Sequence, residues 1–307
     1  MRILHIWDQA GVAFVLAKYQ RSQGHDSKAI MVREYDKYGI GKFYDQYAID
    51  ATLQDFGQKS LDEARSADIL HVHSRSDMVF KFREEFGNSK RIILQYHGTD
   101  IRGIKKQKLP HRSKVSDLAV RGIFTYRRVR DVILFKKRIH SKAQGLADAV
   151  IVSTPDLLPL VSKAIYLPNP IDTDHFSPNK SSSRPERAQA SRPERTQALT
   201  MDTEATDIQL TLSYCKRHNV KLDIDVYNRI KDPIMYGDMP AFLKKYGLYV
   251  DVRYVDGKIL ENLSKTALES LACGLDVLDY KLDRMHGLPE EYNPMNVTSR
   301  LESIYSH

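Results

Sequence analysis

The chain has only two cysteines in 307 residues, Cys215 and Cys273. That is too few for a disulfide framework, they show no metal-ligand spacing, and the usage fits a reducing cytosol. No stretch approaches the ~20 apolar residues that crossing a bilayer requires. The opening Met1-Arg-Ile-Leu-His-Ile-Trp-Asp8 is too short an apolar run for a secretory leader. No Gly-x-Gly-x-x-Gly surrounds Gly11, and Ser153 has no nucleophile elbow around it. His71-x-His73 puts two imidazoles on one face of a strand, but no third ligand of suitable spacing stands nearby, so zinc is not expected. A soluble cytoplasmic protein without a resident metal is the expectation.

Hydrophobic content of 42% and charged content of 28% are those of an ordinary globular chain, and the length suggests two domains. The net charge of +8 is unevenly spread. Between Arg102 and Lys142 stand 14 lysines and arginines against Asp117 and Asp131, a local excess of +12, so the remainder is net acidic. Apolar residues such as Ile123-Phe124 and Val132-Ile-Leu-Phe135 are interleaved with these cations. Such a mixture suits anionic lipid head groups or an anionic acceptor. It could also hold nucleic-acid phosphate, or be a solvated helix face over a core stripe.

Short apolar strands alternate with helical segments from the start. Arg2–Trp7 reads as a strand, Val12–Ser22 as a helix ending at Gly24, and Ser27–Val32 as the next strand. Ala67–His73, Arg91–His97, Asp148–Ser153 and Ile165–Pro168 read as further strands. This is how a parallel, helix-covered sheet begins, and its ligands collect beyond the carboxyl ends of the strands. Gly11, His73, His97 to Asp100 and Ser153-Thr154 fall at those ends.

Residues 179–198, with the duplicated octet Ser183-Arg-Pro-Glu-Arg-Ala-Gln-Ala and Ser191-Arg-Pro-Glu-Arg-Thr-Gln-Ala, have little to bury and read as a tether. Beyond it the strand and helix pattern resumes. The expected division is 1–178, a 179–198 linker, and a short 199–307 unit of the same α/β kind.

Glu261 to Gly274 reads Glu-Asn-Leu-Ser-Lys-Thr-Ala-Leu-Glu-Ser-Leu-Ala-Cys-Gly. Two carboxylates stand eight residues apart, the second in an Ala/Leu-rich helix. A helix N-terminus suits an anion, and carboxylates beside it can accept from sugar hydroxyls. The pair therefore suits a sugar attached to a phosphate. The same letters also form a capping box, with Glu269 returning to the Thr266 amide.

Tyr166-Leu-Pro-Asn-Pro-Ile-Asp-Thr-Asp-His-Phe-Ser-Pro178 is similar to a Pro-Asn-Gly-Val-Asp-x-x-x-Phe-x-Pro hinge segment. With Ala67–His73, Tyr96-His-Gly-Thr-Asp100, Val152-Ser-Thr-Pro155 and the Glu-x7-Glu motif, the chain resembles the retaining GT-B glycosyltransferases of glycosyltransferase family 4. That resemblance implies two Rossmann-like domains facing across a cleft. It implies transfer from a nucleotide-sugar donor to a glycan or lipid-linked acceptor, with retention of anomeric configuration and no metal. Glu261 would hold the donor sugar near the reacting centre, and Glu269 the ribose. The amides around Leu263, Ser264 and Lys265 would lie near the diphosphate, and Gly11 would allow close backbone approach. His97 would line the acceptor side with His73, Gly98, Thr99 and Asp100 nearby.

A membrane-docking patch of Arg127, Arg128, Lys136 and Lys137 would then place the protein at the inner face of the membrane. The family's Gly-Arg and Lys for the donor phosphates are missing, since Thr200–Asp207 carries Asp202, Glu204 and Asp207 instead. A transfer-inactive binding or partner subunit is the alternative, ahead of a nucleic-acid-binding protein. Asp172-x-Asp174 and Asp223-x-Asp225 mimic a metal-binding pair, but their contexts read as structural.

Overall fold

The computed structural model describes residues 1–8, 10–98, 100–102, 136–178, 197–203, 206–255 and 257–306. The first half builds β1 (Arg2–Ile6), α1 (Val12–Ser22), β2 (Asp26–Val32), α2 (Ile40–Phe43), β3 (Ala48–Ala51) and α3 (Phe56–Ser66). It continues with β4 (Ile69–His73), α4 (Ser76–Phe86), β5 (Arg91–Tyr96), α5 (Lys136–Leu146), β6 (Ala149–Val152) and β7 (Ile165–Tyr166). The seven strands lie in the order β3-β2-β1-β4-β5-β6-β7 and pair in parallel throughout. Strand order reverses between β1 and β4, where a crevice opens beyond their carboxyl ends.

Helices on both faces explain the continuous apolar runs of these strands. Leu4, Ile6, Leu70, Val72, Ile92 and Leu94 pack against α3, α4 and α5. The alternate residues Ile3, Ile69, Ile93 and Ile151 pack against α1 and the C-terminal helix.

The second half builds β8 (Gln197–Asp202), α6 (Ile208–Arg217), β9 (Asp223–Asn228), α7 (Met239–Leu243) and β10 (Leu248–Val250). After the small hairpin β11 (Tyr254–Val255) and β12 (Lys258–Ile259) come α8 (Lys265–Ala272), β13 (Asp276–Leu278), β14 (Arg284–Met285) and α9 (Pro294–Ser306). The sheet order is β14-β13-β10-β8-β9, parallel except for the edge strand β14, which runs antiparallel to β13. Helix α9 leaves this sheet: Val297, Leu301 and Tyr305 bury against Ile3, Val12 and Leu16 of the first unit. By packing, residues 294–306 belong to the N-terminal body and not to the 199–307 segment that contains them.

The two halves share an apolar cluster beside the hinge, joining Phe14 and Tyr44 to Tyr236, Met239, Leu268 and Leu271. Within the hinge, Asp172 is buried and accepts from Lys18 Nζ at 2.7 Å, Tyr19 OH at 3.1 Å and Tyr44 OH at 2.7 Å. Asp225 of β9 accepts from Tyr246 OH at 2.6 Å. Both Asp-x-Asp pairs thus have a member in a structural hydrogen bond. Among the described residues no helix is long and apolar enough to cross a membrane.

Candidate functional site

The carboxyl edges of the two sheets face each other across a cavity of about 400 Å³. The first unit lines it with Trp7 and Asp8 after β1, Phe14 of α1, and Tyr35 to Tyr38 after β2. The second unit supplies Arg229 after β9, Tyr236, and Lys265, Thr266 and Glu269 of α8. Local backbone strain marks this edge. Trp7 (φ 72°) and Ser74 (φ 63°) are both in the left-handed region, just past the ends of the neighbouring strands β1 and β4.

Among the helix N-termini at these edges, those of α1 and α6 are already satisfied by carboxylates. Asp8 accepts from the Gly11 amide at 2.6 Å and the Ala13 amide at 2.9 Å, so it caps α1. Gly11 adopts φ 86°, and a Cβ there would meet Ile40 and the Lys265 ammonium, which accounts for glycine at this close approach. Asp207 caps α6 by accepting from the Gln209 and Leu210 amides. The acidic stretch that displaces the expected Gly-Arg thus supplies that helix's cap.

At α8 the cap is Ser264, whose Oγ accepts from the Ala267 amide at 3.0 Å. This shifts the expected capping box, because Thr266 lies inside the helix. Glu269 does not return to the Thr266 amide. It is buried, and its Oε1 accepts from Lys265 Nζ at 2.8 Å, one turn earlier. Lys265 also lies over the Tyr236 ring, 5.1 Å from its centroid. Arg229 covers the Tyr38 ring at 4.2 Å, and its buried Nε has no hydrogen-bond partner among the described residues. The cleft therefore offers cations next to a helix start whose Ser264 cap takes the Ala267 amide, with the Lys265 and Thr266 amides bonded to no side chain among the described residues.

A polar clasp joins the units beside this helix. Arg102 grips Asp156 through Nε at 2.7 Å and Nη2 at 2.8 Å, and Asp156 accepts from Asn262 Nδ2 at 3.0 Å. Arg253 donates to Asn262 Oδ1 at 2.6 Å, and Asp251 accepts the Ser264 amide at 2.6 Å. Glu261 sits next to this clasp but is exposed and does not line the cavity, and neither do Leu263 and Ser264. Of the donor-side expectations, Lys265 and Glu269 line the cavity, with Gly11 against Lys265.

The acceptor-side residues are arranged differently from the expectation. His73 does not present a strand-end side chain to a ligand, because it is fully buried on the α1 and α9 face of the sheet with His5 and His71. Strand register pairs His5 directly with His71. His5 is thus the third imidazole that sequence spacing did not reveal: a nitrogen from each of the three rings lies within 4.8 Å of the others. The ring nitrogens bond to Gln20, Tyr305 and His97 and to each other, with no carboxylate among those partners to balance a buried dication. Burial lowers the pKa of His5 to about 4 and those of His71 and His73 well below the ordinary value, so the rings are neutral.

His97 joins this row through Nε2, 3.0 Å from His73 Nδ1. Burial lowers its pKa, against an upward pull from Asp100 and Asn169. Asp100 is structural: its carboxylate accepts the amides of His97, Gly98 and Ile101 and the hydroxyl of Ser74. Gly98 lies under the Arg102 guanidinium, so a side chain there would displace the clasp. Thr99, Arg127, Arg128, Glu204 and the duplicated octets lie outside the described residues, and Lys136 and Lys137 begin α5.

Sequence reading missed Asp8, Arg229 and Tyr236. The first two follow β1 and β9 directly, so the strand-end rule that pointed to Gly11 and His97 applies to them equally.

No protein-family model and no curated protein matches the chain. Among solved structures it is similar to an alpha-glucosyltransferase (AGT) in complex with UDP, with TM-score 0.53 and 13% identity over 100% of this chain and 91% of that one. It is similar to HepE of Anabaena in complex with UDP and glucose, with TM-score 0.53 and 10% identity over 99% of this chain and 89% of that one. A third is an alpha-glucosyltransferase in complex with UDP-glucose and DNA containing an abasic site, with TM-score 0.53, 12% identity and coverage of 100% and 91%. Identities this low speak for architecture alone, and together with the two facing sheets they establish that the chain has the GT-B fold.

Proposed function

We propose that this chain is a glycosyltransferase that moves a sugar from a nucleotide-activated donor to a hydroxyl acceptor. The observation that carries the reading is the interdomain cavity, where Lys265, Arg229 and the start of α8 lie beside Glu269. Solved proteins of the same fold hold UDP or UDP-glucose, which supports a donor of that class here. Lys265 and Arg229 take the place of the missing Gly-Arg and Lys in neutralising the diphosphate. Glu269 accepts from a hydroxyl of ribose or sugar. As the anomeric C–O bond breaks, the leaving phosphate oxygen gains charge beside these cations and the helix amides. The incoming hydroxyl oxygen bonds to the anomeric carbon and its proton passes to the leaving phosphate. Retention and metal independence accord with the family 4 motifs.

A thermal-shift panel of nucleotides and nucleotide sugars tests this reading. A ligand at 100 times its Kd should add about 2.7 kcal/mol of stability. Absence of stabilisation by every member of the panel would sink the proposal. Stabilisation with neither transfer nor donor hydrolysis would favour a binding subunit, a reading encouraged by the ion pair that already holds Lys265 on Glu269.

Asp8 should make donor binding depend on pH. Burial pushes its carboxyl up to about 6, against the Gly11 and Ala13 amides and the Lys265 charge. As pH rises through about 6 the carboxylate charges beside the diphosphate, so affinity for a nucleotide sugar should fall across that window. The same raised value favours the folded state at low pH, and that contribution is lost as pH rises through about 6. Asp8→Asn should bind without the step. A step of equal size in that variant would assign the titration to another group.

The acceptor proposed is a glycan or lipid-linked sugar at an anionic membrane surface, with the Arg102–Lys142 cations as the docking charge. Co-sedimentation with anionic vesicles should be salt-sensitive and absent with neutral ones. It should be lost when Arg127, Arg128, Lys136 and Lys137 become Glu. Equal sedimentation of wild type and variant would remove the membrane from the proposal.

A further inference from the structure

Gln20 of α1 sets the direction of a row of hydrogen bonds through the buried face of the first sheet. Its Oε1 accepts from Ser27 Oγ at 2.7 Å and lies 2.8 Å from His5 Nε2, while its Nε2 donates to Tyr305 OH at 3.3 Å. An amide oxygen can only accept, so His5 carries its proton on Nε2 and presents the lone pair of Nδ1. His73 Nε2, 3.0 Å from that lone pair, must then donate to it. This leaves His73 Nδ1 as an acceptor, and His97 Nε2, 3.0 Å away, donates to it in turn.

Each ring has a single proton to place, because burial keeps His5, His73 and His97 neutral. The row therefore ends with His97 Nδ1 as a lone pair. That atom is buried and meets no partner at hydrogen-bond geometry among the described residues, although the Asn169 side chain acts on the ring. Reversing the row would set the lone pair of His5 Nε2 against the Gln20 amide oxygen, the costlier arrangement.

We propose that Gln20, His5 and His73 are positioning residues that hold His97 in its Nε2–H form, so that Nδ1 accepts a hydrogen bond from a sugar hydroxyl. The sugar rests on the transfer reading above, whereas the tautomer does not. His97 stands at the carboxyl end of β5, where ligands of such sheets collect, and is the only member of the row that is not fully buried, although its Nδ1 atom itself is covered. The two rings behind it, His5 and His73, are far apart in sequence, and the row forms only because β1, β4 and β5 are neighbours. A mutation deep in the sheet would thereby change which nitrogen His97 shows to its ligand.

The test is a long-range proton–nitrogen NMR spectrum of the imidazoles in the full-length 15N-labelled protein near neutral pH. The His97 signals are assigned by their loss in His97→Phe. Wild type should show His97 as a single Nε2–H tautomer, and His73→Phe should replace it with a mixture of both forms. His97 protonated at Nδ1 in wild type, or a tautomer unmoved by His73→Phe, would overturn the proposal. If His73→Phe does not fold, the wild-type spectrum still decides the direction of the row, and Gln20→Leu replaces it as the variant. These spectra require no turnover, so they hold even if the chain proves not to transfer sugar. With an assay in hand, full kcat in a folded variant whose His97 tautomer is mixed would overturn the functional half.

Discussion

Glu269→Gln should abolish donor-dependent turnover, and its companion Lys265→Met should both weaken nucleotide-sugar binding and destabilise the fold. The asymmetry follows from burial. The Glu269 side chain is 6% exposed and Lys265 is 20% exposed, with 2.8 Å between their charged atoms. Taking away the lysine leaves a nearly buried carboxylate without its cation, which costs on the order of 3 kcal/mol or more. Amidating the glutamate leaves a group that can still accept from Lys265, so the stability change should be small. Losing one cation at the diphosphate should reduce affinity at least about tenfold, a 1.4 kcal/mol effect. The double variant Lys265→Met/Glu269→Gln should regain much of the stability and none of the turnover. Stability measured by urea unfolding, alongside donor turnover, separates the two roles. Unimpaired turnover in Glu269→Gln would make the pair a structural i,i+4 bridge and nothing more.

Asp172→Ala should be the most destabilising single change at the hinge, by about 3–5 kcal/mol. Asp172 is fully buried and accepts from one ammonium and two phenols, while Lys18 also reaches Asp174 at 2.8 Å. One of those phenols, Tyr44, meets Tyr236 of the second unit at 3.0 Å. Removing the carboxylate would take from both phenols and the cation their shared buried acceptor, and loosen a contact that sets how the two units face each other. Burial alone would raise the Asp172 carboxyl, but Lys18 and the phenols hold it below the ordinary carboxylate range. A depressed value means that its stabilisation is present above the unfolded pKa and is lost as pH falls through the folded one. The variant should therefore show a flatter acid limb in guanidinium unfolding measured across pH. A loss under about 1 kcal/mol would show that solvent or Asp174 replaces the missing partner.

Much of the first unit was legible in the chain. Helix Val12–Ser22 matches to the residue and six of the seven strands to within a residue or two, whereas the edge strand β3 (Ala48–Ala51) has no apolar run to mark it. Strands covered by helices on both faces are uniformly apolar, so a short run of Ile, Leu and Val between polar segments marks them. The start of α8 was less legible. Ser264 and Thr266 both suit the N-cap, and a local pattern cannot tell them apart. Asp251, thirteen residues earlier on the end of β10, settles the matter by accepting the Ser264 amide.

The imidazole row was invisible for another reason. His5 stands 66 residues from His71, and nothing local to either residue records that β1 lies beside β4. Arg229 was not legible because its strand, β9, is half-exposed and alternates Asp223, Asp225 and Tyr227 with apolar residues, so it lacks the continuous apolar run that marks the buried strands.

The sequence by itself determined the alternating α/β pattern, the hinge segment and the helix that carries Lys265 and Glu269, because each depends on residues within a few positions of one another. Tertiary structure alone decided that α9 returns to the first sheet, that Asp8 and Asp207 occupy the helix ends an anion would otherwise take, and that Arg229 and Lys265 share one cavity. These depend on strand order and on the packing of two sheets around one hinge. Local propensity carries no information about either, since both follow from which distant apolar faces bury each other.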